Sequence, residues 1–277
     1  HEQLFDIGGV CVVSPLQAIL DYELDNGIPP GYVNSNIQAH SPNGAWQKLE
    51  RGEVVLADSF FALFTSQLND PKMWKAYCQK LAKRDPQVIQ RLIEKDGEGE
   101  QGVPKLFSID GKTMFWNMMR MSRRPDPWMF PALNKLRESG QFVMAALSNT
   151  IAFPEGVVDE NGQPFRNGLH TAEGKHVGDI REQFDVFISS AHVGLRKPDP
   201  RIYELAVSEA QKIADRKGLG TVTMKDTLFL DDIGGNLKAA RQLGMGTIKV
   251  NLGQSKDAVQ ELQEKVGMSL IDESSRL

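Results

Sequence analysis

At 277 residues, with 40% hydrophobic and 25% charged side chains, the chain has the size and make-up of one large or two small globular domains. Its net charge of −4 gives no reason to expect nucleic acid or an anionic membrane as the main partner, and no apolar run approaches the length of a membrane span. Cys11 and Cys78, the only cysteines, make neither a disulfide framework nor a zinc site; together with the lack of a signal-peptide pattern they lead us to expect a reducing, cytoplasmic setting.

The first dozen residues, Leu4-Phe5-Asp6-Ile7-Gly8-Gly9-Val10-Cys11-Val12-Val13, read as a buried parallel strand ending in a carboxylate, with a glycine pair to turn the chain. Cys11 falls in this apolar run and is expected to be a small core residue. From Ser14 to about Arg124 the pattern turns helical. Helices are expected over residues 15–24, 33–40, 44–51, 71–84, 87–93 and 109–121, and another follows Asp58 as its cap. Residues 96–104 form a polar, glycine-rich loop and are the best candidate for local disorder. A hinge follows at residues 123–127, then a helix over 131–139 and a second buried strand over 142–147 ending in Ser148-Asn149-Thr150. A loop-rich insert spans 151–177. Further strands are expected over 184–189, 227–230 and 246–250, and helices over 200–214, 236–243 and 256–266.

Strands alternate with helices except for one long helical excursion after the first strand. The fold class is therefore α/β: a Rossmann-like, doubly wound parallel sheet with an inserted helical cap. Residues 1–13 and 126–277 make the core, and residues 14–125 the cap.

In a parallel sheet the carboxyl ends of the strands gather at one edge, where ligands bind. That edge would collect Asp6, Ser148 with Asn149, Lys197 and the pair Asp231-Asp232. The set suits phosphoryl transfer. Asp6 can attack phosphorus. Asp6 and Asp232, with the Gly8 carbonyl, can hold Mg²⁺. Ser148 and Asn149 can donate to phosphate oxygens, and Lys197 can offset negative charge. The plainer alternatives are a turn for Ser148-Asn149, a surface charge for Lys197 and helix caps for the acidic pair.

The segments FDIGGV, LSNT, LRKPDPRIY and FLDDIGGNLKAARQLGM resemble, in order and spacing, the four motifs of the haloacid dehalogenase superfamily. The last three, followed by TIKV, are most similar to the N-terminal phosphatase domain of soluble epoxide hydrolases and to its relatives in acyl-CoA dehydrogenase fusion proteins. LERGEVVLADSF in the cap is similar to the same subgroup. The resemblance covers nearly the whole chain, with the 151–177 insert as the main stranger. It implies Asp6 as nucleophile, Ser148 and Asn149 as the phosphate-binding pair and Lys197 as the motif lysine. It also implies Asp232 as Mg²⁺ ligand, Asp231 in support and Asn236 as the orienting residue one turn on. The substrate would be a small phosphate ester. Phe60, Phe64, Phe115 and Met118 suit a lipid-like one, or else form the cap's own core.

One departure stands out. Phosphatases of this superfamily usually carry an acid–base Asp two residues after the nucleophile, and here that position is Gly8. His40, Glu50 and Glu53 are candidate replacements. A weak or non-catalytic phosphate-binding protein, and a metal-free dehalogenase, are the alternatives that Gly8 permits. The Asp231-Asp232 pair speaks against the dehalogenase, because crowded carboxylates need a cation.

Overall fold

The computed structural model describes residues 2–99, 102–165, 168–171 and 174–271. Parts of the expected disordered loop (residues 100–101) and of the insert (166–167 and 172–173) lie outside the described residues.

Strand β1 (Glu2–Phe5) opens the chain. Among the described residues the α-helices that follow are α1 (Pro15–Asp25), α2 (Tyr32–Ala39), α3 (Ala45–Glu50), α4 (Asp58–Leu68), α5 (Pro71–Arg84), α6 (Pro86–Asp96) and α7 (Gly111–Met121). Then come α8 (Met129–Ser139), β2 (Val143–Ser148), the short strands β3 (Leu169–His170) and β4 (His176–Gly178), β5 (Val186–Ser189) and α9 (Ser190–Val193). The chain continues through α10 (Pro200–Lys217), β6 (Thr227–Asp231), α11 (Gly234–Gln242), β7 (Gly246–Lys249) and α12 (Ser255–Val266).

Five strands form one parallel sheet in the order β5-β2-β1-β6-β7. The α/β, doubly wound architecture read from the sequence is the one found. Successive strand residues serve opposite faces, as the pleat requires. Phe5, Met144, Ala146 and Leu230 pack with α8 and α12 on one side. Leu4, Val143, Ala145, Leu147 and Phe229 pack with α10 and α11 on the other. The chain leaves β1 outward through β2 to β5, then returns to β6 and β7. The switch of direction falls between β1 and β6, where Phe5 stands beside Leu230.

The apolar run after Asp6 is not strand. Val10, Cys11 and Val12 all donate backbone N–H groups to the Ile7 carbonyl, so residues 7–12 fold into a tight loop. Cys11 is buried, as expected, but from this loop, with its Sγ donating to the Asp6 carbonyl at 3.1 Å. Another correction concerns α4. Ala57 occupies the cap position and Asp58 the first turn, where a carboxylate still favours the helix dipole. At five other α-helix starts among the described residues a side chain does cap the helix. Ser14, Asp70, Asp85, Asp110 and Asp199 each accept a first-turn N–H at the starts of α1, α5, α6, α7 and α10.

Helices α1–α7 enclose their own core, in which Phe60, Phe64, Phe115, Trp116 and Met118 are at most 2% exposed. The two connections to this layer run side by side: Val12 pairs with Pro125, and Val13 N–H donates to the Arg124 carbonyl. The insert after β2 packs on the same layer. Phe153 stacks on Phe165 with centroids 4.8 Å apart, and Phe165 meets Trp116 of α7 at 5.1 Å. Arg120 of α7 reaches Glu160 at 2.5 Å and Asp159 at 3.4 Å, and Arg123 lies over the Phe165 ring. Beside residues 100–101, Gly99 N–H donates to the Val103 carbonyl, so the described flanks of that loop are paired.

Candidate active site

The carboxyl ends of β1 and β6 set two acidic residues side by side. Asp6 follows β1, and its N–H donates to the Leu230 carbonyl at 2.9 Å. Asp231 ends β6 and is fully buried. Lys197 stands between them, 1% exposed, with Nζ 2.9 Å from Asp6 Oδ1 and 2.7 Å from Asp231 Oδ2. Burial works against an ammonium here, but Asp231 and Asp6 outweigh it and hold its pKa above the ordinary lysine value.

The acidic pair divides its work by hydrogen-bond capacity. A carboxylate offers about four lone-pair sites. Asp231 Oδ1 accepts from Ile233 N–H at 2.7 Å, and Oδ2 from Lys197. Asn236 Nδ2 lies 3.2 and 3.1 Å from the two oxygens. Asp231 is thus filled by protein donors, and Asn236 orients Asp231. Asp232 is half-buried, and the side-chain contact seen among the described residues is a long one, from Ser14 Oγ to its Oδ2 at 3.4 Å. Asp6 Oδ1 accepts from Ile7 N–H at 2.8 Å as well as from Lys197, which leaves Oδ2 for other partners.

Oxygens of Asp6, Asp231 and Asp232 lie within 4.8 Å of one another. Burial, then repulsion from Asp6 and Asp231, pushes the Asp232 carboxyl up to about 8. Burial also raises Asp231, to about 6, against the pull of Lys197. Three carboxylates facing one ammonium leave an excess of negative charge that a hard, oxygen-seeking cation would relieve. Asp6 and Asp232 are the donors with capacity to hold it. The residues present fit Mg²⁺.

Ser148 ends β2 and is 3% exposed, beside Ser189 of β5. Asn149 turns to the Lys197 loop: its Oδ1 accepts Lys197 N–H at 2.8 Å, and its Nδ2 donates to the Lys197 carbonyl at 3.2 Å. Gly8 is half-buried in the turn, and a Cβ there would meet Pro15 Cδ at 3.2 Å. Of the three candidate acid–base replacements, only Glu50 reaches the core. It is 7% exposed at the end of α3 and accepts from Arg196 Nε at 2.9 Å and Nη2 at 2.6 Å, one residue from Lys197. Glu53 pairs with Arg51 on the surface, and His40 Nδ1 is bonded to the Asn36 carbonyl of its own helix end.

Two residues that the motif reading left out of the site belong to it geometrically. Gly9 has φ +81°, and a Cβ there would lie 2.2 Å from Asp232 Oδ2 and 3.2 Å from Ser14 Oγ. Ser14 both caps α1 and touches Asp232. The positive φ was foreseeable from a glycine pair; the contact with a residue 223 positions later was not.

The five-stranded parallel sheet with helices on both faces is a fold shared with solved haloacid dehalogenase-like structures. A solved dehalogenase structure superposes with a TM-score of 0.50 and 17% identity, covering 98% of each chain. A HAD-family enzyme from Bacteroides thetaiotaomicron, in complex with magnesium and inorganic phosphate, aligns with a TM-score of 0.43 and 19% identity, over 90% of this chain and 92% of that one. In sequence, acyl-CoA dehydrogenase family member 10 of Mus musculus is 27% identical over 267 residues, 96% of this chain and 19% of that protein. Bifunctional epoxide hydrolase 2 of Sus scrofa is 36% identical over 93 residues, 34% of this chain and 15% of that protein. The chain thus spans about a fifth or less of these curated relatives. No family model matches it. Among the described residues no helix is long and apolar enough to cross a membrane.

Proposed function

We propose that this protein is a Mg²⁺-dependent phosphatase acting on a small phosphate ester. The observation that carries the reading is the crowding of Asp6, Asp231 and Asp232 around one buried lysine, with lone pairs of Asp6 and Asp232 left over. Ile7 N–H and Lys197 hold the Asp6 carboxylate in place, and Asp6 is the group that attacks phosphorus. The new O–P bond forms as the ester P–O bond breaks, giving a phospho-aspartyl group and an alkoxide that takes a proton. Water then attacks phosphorus, the aspartyl O–P bond breaks, and inorganic phosphate leaves as the carboxylate is restored. Lys197 offsets charge on Asp6 and the phosphate, and Ser148 donates to a phosphate oxygen. Mg²⁺ bound by Asp6, Asp232 and the Gly8 carbonyl would supply electrophilic assistance to the phosphoryl group. Gly8 supplies no proton, which suits a substrate with a good leaving group or an acid brought in by the cap.

Helices α1–α7 would then act as the cap that excludes water. Their aromatic residues form a closed core of their own, which favours the plainer reading of Phe60, Phe64, Phe115 and Met118 over a lipid channel.

The test is phosphate release from a panel of phosphomonoesters with Mg²⁺ or with a chelator, alongside chloride release from a 2-haloacid. We expect Mg²⁺-dependent phosphate release, lost by about a thousandfold or more in Asp6→Asn. Metal-independent chloride release, or no turnover from any ester, would overturn the reading.

A further inference from the structure

We propose that Asn149 is a positioning residue that holds Lys197 in place, and that it stands outside the phosphate cradle. The inference rests on the phosphatase reading for its kinetic part and on geometry alone for the rest. The Asn149 carboxamide meets both polar groups of one peptide unit pair: Oδ1 takes Lys197 N–H at 2.8 Å, and Nδ2 gives to the Lys197 carbonyl at 3.2 Å. A side-chain amide here does what a neighbouring strand would do for the backbone. Among the described residues, the backbone bonds around Lys197 run from Gly194 N–H to Ser190 and from Asp199 N–H to Arg196, without taking up the Lys197 N–H or carbonyl. Asn149 supplies the hydrogen bonds of the Lys197 main chain.

The consequence follows from the burial of the Lys197 side chain. Its exposure is 0%, and its Nζ meets Asp6 and Asp231 at 2.9 and 2.7 Å. A flexible four-carbon stem placed between two carboxylates keeps both contacts only if its Cα is anchored. The clamp also fixes the carboxamide's plane, because both of its polar atoms already have partners. Ser148, one residue earlier at the end of β2, is then the side chain of this pair left to donate to phosphate.

The experiment compares wild type with Asn149→Ala, Asn149→Asp and Ser148→Ala in three measurements: backbone amide hydrogen exchange at Lys197, inorganic phosphate binding in Mg²⁺ by calorimetry, and kcat against KM. We expect Asn149→Ala to speed Lys197 exchange by about tenfold or more, and Asn149→Asp, which keeps the oxygen acceptor, to restore much of the protection. Phosphate affinity should change by less than about twofold in Asn149→Ala but fall by about tenfold in Ser148→Ala, with kcat and not KM lowered in Asn149→Ala. Unaltered Lys197 exchange, or a tenfold loss of phosphate affinity in Asn149→Ala, would sink the proposal. Wild type without turnover defeats the phosphatase reading, while the exchange measurement still decides the clamp. If Asn149→Ala fails to fold, Asn149→Asp carries the comparison: loss of its Lys197 protection would count against an anchor built on the oxygen.

Discussion

At the scale of single residues, the site depends on which groups have capacity left. Asp231 and Asp232 are adjacent in sequence and identical in chemistry, yet one is saturated by Lys197, Ile233 and Asn236 while the other keeps its lone pairs. Gly9 makes that possible by leaving room beside Asp232 Oδ2. Gly9→Ala should therefore cost about 1–3 kcal/mol in stability from its φ of +81°. On the proposed metal site it should also weaken Mg²⁺ binding by about tenfold, the stability loss being read by chemical denaturation and the binding by calorimetry, since the methyl would displace the Asp232 carboxylate. Glu23 of α1 shows a second residue-scale effect, away from the site. Its carboxylate accepts Gly31 N–H at 2.7 Å and Val33 N–H at 2.8 Å, but burial still raises its pKa. A carboxyl raised in the folded state keeps a proton that the unfolded chain releases. Its contribution is thus fully present below the unfolded value of 4.5 and falls as pH rises through the folded one. The stability gap between wild type and Glu23→Gln should narrow as pH rises above 4.5, read from urea midpoints across pH; a gap independent of pH would contradict it.

At the scale of elements, the insert after β2 links the sheet edge to the helical layer. Residues 151–165 leave β2 directly beyond Ser148-Asn149 and lie against α7 through the Phe153–Phe165 stack, Trp116 and the Arg120 ion pairs. A partly exposed ion pair contributes little, whereas the ring cluster excludes water and contributes more. Arg120→Ala should cost under about 1 kcal/mol. Phe165→Ala should cost about 1–3 kcal/mol and loosen the Phe165 N–H bond to the Val157 carbonyl, seen as faster amide exchange there with β1 unaffected. Unchanged exchange at Phe165 would show that the insert is held by other contacts. A second joint lies at the end of α3. Ser190 Oγ donates to the Glu50 carbonyl at 2.5 Å, and Gly52 approaches Ala191 so closely that a Cβ would sit 2.5 Å from its carbonyl oxygen. Glu50 and Arg196 lie at this joint, which places a partly buried ion pair between the helical layer and the Lys197 segment.

At the scale of the whole molecule, three apolar clusters frame one concentration of charge. Two flank the sheet and one fills α1–α7, and the acidic triad lies at the carboxyl edge of β1 and β6. A cation taken up only by the folded state stabilises all of it together. With Mg²⁺ at a hundredfold excess over its Kd, the gain is about 2.7 kcal/mol, equivalent to a rise in Tm of roughly 5–10 °C for a chain of this size. Asp232→Asn should abolish that rise in a thermal melt, while Asp226→Asn, on the opposite edge of the sheet before β6, should keep it.

Much of this was legible in the chain itself. Apolar residues leading into Asp6, Ser148-Asn149 and Asp231-Asp232 pointed to buried parallel strands with their polar ends on one edge, because pleat and crossover rules leave few other arrangements. The extent of β1 was over-read, since Val10–Val12 are apolar for a buried loop as much as for a strand. Tertiary structure alone decided which lone pairs are free. Asn149 finds the Lys197 backbone 48 residues away, and Gly9 faces Asp232. Glu50 crosses to Arg196. These are contacts between distant segments, whose distances depend on packing that no local pattern encodes. The opening motif thus keeps Asp6 as the proposed nucleophile, and the packing adds that its neighbour Gly9, as much as Gly8, shapes the place where a metal would sit.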